Sequence, residues 1–393
     1  MTDEPPTDTI TDLCGALMST RGEASGVALA SLVLERYAEL PEAGKRLFFN
    51  DLAAHFDPDP SQVMAAAETF ARDRSAEALA AVNAAVEPPR QELLRRLNQA
   101  PGGTAGLVHM RADLLDLLPT SGHFQRIDAD FQHLLSSWFN RGFLVLQPIT
   151  WSSPADVLEK IIDYEAVHEI TDWTDLRSRL EPADRRCFAF FHPAMPGEPL
   201  VFVEVALTLG VPDTIGGLLG DQPNPLAAED ADTAVFYSIS NCQVGLRGVS
   251  FGHVLIKQVA ADLAHDLPNI ETFVTLSPAP GFTPWLQHLA DGGHTAAAEL
   301  LDLVKIENWP HDLAQQRRHA YLTTALAAAY FLEAKRDDGS PLDPVARFHL
   351  GNGAMLERIN PQANLSPTGI ERSAGMMVNY RYDLDSIEEN HEA

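Results

Sequence analysis

Two neighbouring stretches decide how this chain is read: Gln243-Val244-Gly245-Leu246-Arg247-Gly248-Val249-Ser250-Phe251-Gly252, and Leu276-Ser277-Pro278-Ala279-Pro280-Gly281-Phe282. The first follows an apolar run over residues 234–239 and precedes a segment in which Leu255, Ile256, Val259 and Leu263 recur at helical spacing. The second follows another apolar run, over residues 271–276. Strand, glycine turn, helix and strand in this order build a helix N-terminus whose backbone N–H groups can face a ligand, and then deliver a hydroxyl beside it. Such a cradle suits a phosphate-bearing thioester, a coenzyme A ester, better than a peptide or a nucleic acid. The spacing is neither Gly-x-Gly-x-x-Gly nor a Walker pattern, so it predicts neither a dinucleotide fold nor a nucleoside triphosphatase.

Outward from there the chain changes character near residue 141. The segment 1–140 reads as a helical domain, with Ala-rich and Leu-rich helical spacing, one helix expected over residues 69–86 and an aromatic-rich one over 123–140. Asp57-Pro58-Asp59-Pro60 and Pro101-Gly102-Gly103 punctuate it. Residues 141–393 read as an α+β domain with a mostly antiparallel sheet, including strands over residues 187–192 and 199–207 joined by a Pro-Gly loop. Glu204, inside Val203-Glu204-Val205, is expected on the solvent face of its strand.

With 393 residues the chain is long for a single core. Its 55 acidic against 28 basic residues give a net charge of −27, which argues against nucleic acid as a partner. The same charge repels an anionic ligand at long range, so a coenzyme A site must be locally basic or rely on backbone dipoles; Arg247 and Lys257 are the nearby cations. No apolar run approaches a membrane span, and the acidic first residues lack a secretion signal, so the expected location is cytoplasmic. Cys14, Cys187 and Cys242 are too far apart for a Cys-x-x-Cys metal site and read as buried small hydrophobes. No Gly-x-Ser-x-Gly elbow and no His-Glu-x-x-His helix is present, which disfavours hydrolase and zinc-peptidase chemistry.

Several motifs fall in one order: residues 192–208, beginning His192-Pro193-Ala194-Met195-Pro196-Gly197-Glu198; then Phe236-Tyr237-Ser238-Ile239-Ser240; the glycine turn; the Ser277 motif; Phe348-His349-Leu350-Gly351-Asn352-Gly353-Ala354; and Asn379-Tyr380-Arg381-Tyr382. In this wording and order the chain resembles the malonyl-CoA decarboxylases. The resemblance implies a helical N-terminal domain followed by a catalytic domain like the GCN5-related N-acetyltransferases, acting on malonyl-CoA to release acetyl-CoA and carbon dioxide. It places the catalytic residues at Ser277, His349 and Tyr382. Ser238, the turn from Gln243 to Gly252 and Asn352 fall to the substrate. Only Gly248-Val249-Ser250 matches the acetyltransferase phosphate loop, because Gly245 stands where an Arg or Gln is usual.

The implied chemistry calls for no metal and no cofactor, since the thioester is its own electron sink. His349 is expected to give a proton to the enolate carbon, with Ser277 as its hydrogen-bonded partner. The competing readings are an acyl-CoA-dependent N-acyltransferase of the same fold and a non-catalytic acyl-CoA-binding module. The helical domain, without visible chemistry, is expected to drive self-association.

Overall fold

The computed structural model describes residues 9–20, 22–220, 225–249 and 252–392. Contacts divide the chain into two compact units. The first comprises Met1–Val145 and takes two further segments, Phe191–Glu198 and Gln243–Phe251; the second comprises Leu146–Phe190, Pro199–Cys242 and Gly252–Ala393.

Helices make the first unit: Ile10–Ser19, Glu23–Ala38, Glu42–His55, Pro60–Arg72, Ala76–Val86, Pro89–Leu97, Gly103–Leu117 and Phe124–Trp138. Their starts are written in the sequence. Asp59 accepts from Ser61 N–H ahead of a proline in the first turn, and Ser75 accepts from Ala78 N–H. That second cap breaks the helix expected over residues 69–86, because Asp73-Arg74-Ser75 leaves the helical path to supply it. Phe48, Phe49, Phe124 and Phe131 fill the core, with the Phe49 and Phe124 rings packed edge to face. Each such burial contributes roughly 1.5–3 kcal/mol. The hairpin of Pro60–Arg72 and Ala76–Val86 differs: Ala78 is its single buried side chain, and Met64, Leu79 and Val86 are exposed.

A mixed sheet, most of whose residues fall in the second unit, comprises β1 (Val145–Ile149), β2 (Arg185–His192), β3 (Met195–Thr208), β4 (Thr233–Asn241), β5 (Thr272–Thr275), β6 (Ser277–Pro278), β7 (Met355–Asn360) and β8 (Met377–Arg381). Their order is β1-β2-β3-β4-β5-β8-β6, with β7 also on β8. The β4–β5 pair is parallel and is crossed by the helix Gly252–Asp266; β3–β4, β5–β8, β6–β8 and β7–β8 are antiparallel. The α+β expectation therefore holds: helices first, then a sheet that is mostly antiparallel. Leu255, Ile256, Val259 and Leu263 are all buried, as their spacing required. A register shift between Glu204 and Val205 marks a bulge opposite β4.

Glu204 is not on a solvent face. It is fully buried and ion-paired with Arg179 at 3.2 Å, because β3 is covered on both faces along this stretch. The helix Phe282–Asp291 lands Phe282 and Leu286 in a core shared with Leu322, Leu326 and Tyr330. Gly281 must precede it as glycine, since a Cβ there would sit 2.3 Å from the Tyr330 hydroxyl oxygen. All three cysteines are buried and unbridged, in keeping with the sequence reading. No helix among the described residues is long and apolar enough to cross a membrane.

Candidate active site

The extended chain around Leu276 places Thr275 and Ser277 on one face, two residues apart. Ser277 pairs with Val378 of β8, and Ala279 N–H is fixed by the Ser373 hydroxyl, so the serine is held from both sides. His349 arrives on the helix Pro344–Gly351, which Asp343 caps by accepting from Val345 and Ala346 N–H, with Pro344 in the first turn. The same Asp343 accepts from Gly281 N–H, tying the histidine helix to the serine motif. Tyr382 lies just past the end of β8.

These elements close on one chain of contacts. Ser277 Oγ is 3.0 Å from His349 Nε2, and His349 Nδ1 is 2.8 Å from the Tyr382 hydroxyl. The imidazole stacks on Tyr380, ring centroids 4.6 Å apart and 25° from parallel. Ser277, His349 and Tyr382 are 6%, 2% and 1% exposed. Burial lowers His349 from 6.5 to about 3 and raises Tyr382 well above 10. At neutral pH the three groups are therefore uncharged, able to pass protons between them but not to act as a resting imidazolium or phenolate. The sequence reading expected Ser277 and His349 as a hydrogen-bonded pair; the structure shows that contact and joins Tyr382 to it in a single array.

Asn352 closes the histidine helix, donating from Nδ2 to Phe348 O at 2.7 Å. It is buried, so its local work is to finish the turn that presents His349. Ser238 also has a local partner: its hydroxyl meets both carboxylate oxygens of Glu165, at 2.8 and 2.7 Å, and Ser240 adds a third bond to the same carboxylate at 3.1 Å.

The glycine turn groups with the helical unit. A Cβ on Gly245 would lie 1.8 Å from Val108 O, and Gly245 O accepts from the buried Arg111, itself paired with Asp128 at 2.8 Å. Gly248 has φ +81°, and its carbonyl accepts from Gln132. Both glycines are thus demanded by close packing and backbone conformation. The amides of Leu246, Arg247 and Val249 donate to Gln243 O, Val244 O and Leu246 O, so a phosphate can be met only by the amides these bonds leave over. Gln243 is buried and Arg247 exposed. Ser250 and Phe251 lie outside the described residues, and the helix begins at Gly252. Lys257 is paired with Glu388 at 2.9 Å.

Other polar residues here were not singled out from the sequence. Thr275 accepts from Ser277 Oγ at 2.9 Å, and the Thr-x-Ser alternation of an extended chain is the signal that places the two hydroxyls together. Glu165 and His168 leave no such signal. A cavity of about 740 Å³ in the second unit is lined by Glu165, His168, Arg372 and Pro278 among others. His168 Nε2 has no hydrogen-bond partner among the described residues, and burial followed by the Arg179 charge lowers its pKa to about 4. Burial and the neighbouring Glu165 carboxylate push Glu204 up to about 8. Among the described residues, no group of three or more His, Cys, Asp or Glu is placed to hold a metal ion.

A helical unit followed by a mixed sheet, with a buried chain of three neutral hydrogen-bonding groups beside strands β6 and β8, defines the class as a two-domain α+β protein. Models of the malonyl-CoA decarboxylase N-terminal and C-terminal domains match residues 56–139 and 142–393. The chain belongs to the malonyl-CoA decarboxylase family. It is 39% identical over 335 residues to the mitochondrial malonyl-CoA decarboxylase of Anser anser anser, covering 78% of this chain and 66% of that protein. To the mitochondrial enzyme of Mus musculus it is 36% identical over 392 residues, covering 90% and 79%. The crystal structure of malonyl-CoA decarboxylase from Rhodopseudomonas palustris superposes with a TM-score of 0.92 at 52% identity, covering 98% of this chain and 95% of that one. That from Agrobacterium vitis gives 0.93 at 50% identity, with the same coverage.

Proposed function

We propose that Ser277, His349 and Tyr382 carry out the decarboxylation of malonyl-CoA to acetyl-CoA and carbon dioxide, with no cofactor. Membership of the family supplies the reaction; the observation that supports these residues is the continuous Ser277–His349–Tyr382 chain. The bond between the carboxylate and the α-carbon breaks when it stands perpendicular to the thioester plane, and its electron pair flows into the thioester carbonyl as an enolate. The α-carbon then takes a proton, and carbon dioxide leaves. One proton from solvent is consumed per turnover.

A neutral imidazole gives up one N–H only as it gains a proton at the other nitrogen. His349 therefore works as a relay: the proton leaves from the Nε2 side, where Ser277 stands, and Tyr382 resupplies Nδ1; after product leaves, the solvent proton restores Nε2–H and Nδ1 returns its proton to the Tyr382 oxygen. Burial excludes bulk water from the array, so the enolate meets this proton rather than a random one. Ser238, Asn352 and the turn from Gln243 to Gly252 belong to the substrate side of the same reading, with Gln243, Gly245, Leu246, Arg247, Gly248, Val249, Ser250 and Phe251 around the coenzyme. Incubation of purified protein with malonyl-CoA alone, following both thioesters with and without a chelator, tests the reading. It expects acetyl-CoA in both; product that needs an amine acceptor, or that disappears with chelator, overturns it.

The helical unit is read as the site of self-association, supported by the hairpin Pro60–Arg72 and Ala76–Val86, whose apolar side chains find so little cover in their own unit. Light scattering that returns only monomer removes that part. A cytoplasmic location belongs to the same reading, supported by three buried, unbridged cysteines suited to a reducing compartment.

A further inference from the structure

Ser277 Oγ is the donor in its 2.9 Å bond to Thr275 Oγ1, and Tyr380 N–H donates to that same oxygen at 3.2 Å. Together the two bonds fill both lone pairs of the Thr275 hydroxyl. A serine hydroxyl has one hydrogen. With that hydrogen committed to Thr275, Ser277 can meet His349 Nε2 at 3.0 Å only as an acceptor, so the proton of the neutral ring sits on Nε2. Nδ1 is then the acceptor, and Tyr382 O–H must donate to it across 2.8 Å. One direction runs through the whole array: Tyr382 to His349, His349 to Ser277, Ser277 to Thr275.

We propose that Thr275 is a positioning residue that fixes the tautomer of His349, and with it the direction in which protons move. The proposal rests on the reading of Ser277, His349 and Tyr382 given above. Without an acceptor at position 275, the Ser277 hydroxyl is free to turn its hydrogen onto Nε2. The ring then takes the opposite tautomer, Nδ1–H donates to Tyr382, and no proton remains on Nε2 for the substrate side. Thr275 is placed firmly for this task. It is fully buried, its carbonyl accepts from Asn379 Nδ2 at 2.8 Å, and the strand that holds it also carries Tyr380, the ring stacked on His349.

The test uses the full chain with ¹⁵N-labelled imidazoles, the His349 signals being assigned among the fourteen histidines by their loss in His349→Asn. Wild type is expected to show Nε2–H. Thr275→Val, nearly the same shape without the acceptor, is expected to lower kcat at least about ten-fold. KM stays near wild type, and the His349 signal moves toward the Nδ1–H form. Thr275→Ser restores kcat and tautomer together. A wild-type Nδ1–H signal overturns the proposal whatever the variants do, and so does Thr275→Val with unchanged kcat and an unchanged Nε2–H ring. Normal turnover by His349→Asn instead defeats the underlying assignment of the array, a separate and distinguishable failure.

Discussion

The two turns that follow the parallel strands β4 and β5 carry opposite kinds of signal. After β4, the glycine turn is conspicuous in sequence, yet Gly245 and Gly248 are each accounted for by a helix that leaves no room for a Cβ or by a left-handed backbone. After β5, Ser277 precedes a proline and looks like an ordinary turn residue, yet its hydroxyl joins a buried array to a histidine 72 positions away. Glycine reports a local constraint, so it is visible locally and carries little about chemistry. A reactive hydroxyl gains its meaning from partners that only folding supplies.

Each side of that contrast can be broken. The largest effect is expected at the second turn: His349→Asn should lower turnover about 10²–10⁴-fold in steady-state assays while malonyl-CoA binding persists. Near-normal turnover would remove the chemistry from that side. At the first turn, Gly245→Ala should reduce unfolding free energy in urea by about 1–3 kcal/mol through overpacking against Val108. An alanine variant as stable as wild type would mean the turn is free to move, contrary to the packing account.

A pH series sharpens the array further. His349 falls from 6.5 in the unfolded chain to about 3 when folded. The stability it contributes is therefore fully present above pH 6.5 and is lost as pH drops toward 3, at up to about 1.4 kcal/mol per pH unit. Unfolding curves of wild type should thus lose ground to His349→Asn as pH falls through that window; a constant gap would mean the ring is not held neutral. The smallest effect is expected at Ser238. Because Glu165 already holds its hydroxyl, Ser238→Ala should cost about 1 kcal/mol of stability. An unchanged KM beside that loss of stability would take this residue off the substrate side.

Where periodicity and caps are strong, the elements could be read in the sequence. The helix carrying Leu255, Ile256, Val259 and Leu263 and the strand β4 both announce themselves within a few residues, whereas the short helix that carries His349 was not read. The break at Ser75 was hidden because Ala-rich sequence on both sides keeps helical spacing, and one cap decides it. Glu204 misled for a related reason: alternation says which face a residue takes, but not whether that face is covered. Thr275 went unnoticed because a threonine in a strand needs no explanation until its neighbour two residues on proves to be Ser277.

Sequence alone determined that a helical region precedes a region of mixed strands and helices and supplied the motif wording that places the chain in its family, and it brought Ser277, His349 and Tyr382 forward as candidates. These depend on near neighbours along the chain and on residue type. Tertiary structure decided that those three residues touch, that burial keeps them neutral, and that Thr275 stands beside the serine. Protonation and hydrogen-bond direction depend on which groups share a dry space, and strands β5, β6 and β8 together with the Pro344–Gly351 helix create that space only when they pack.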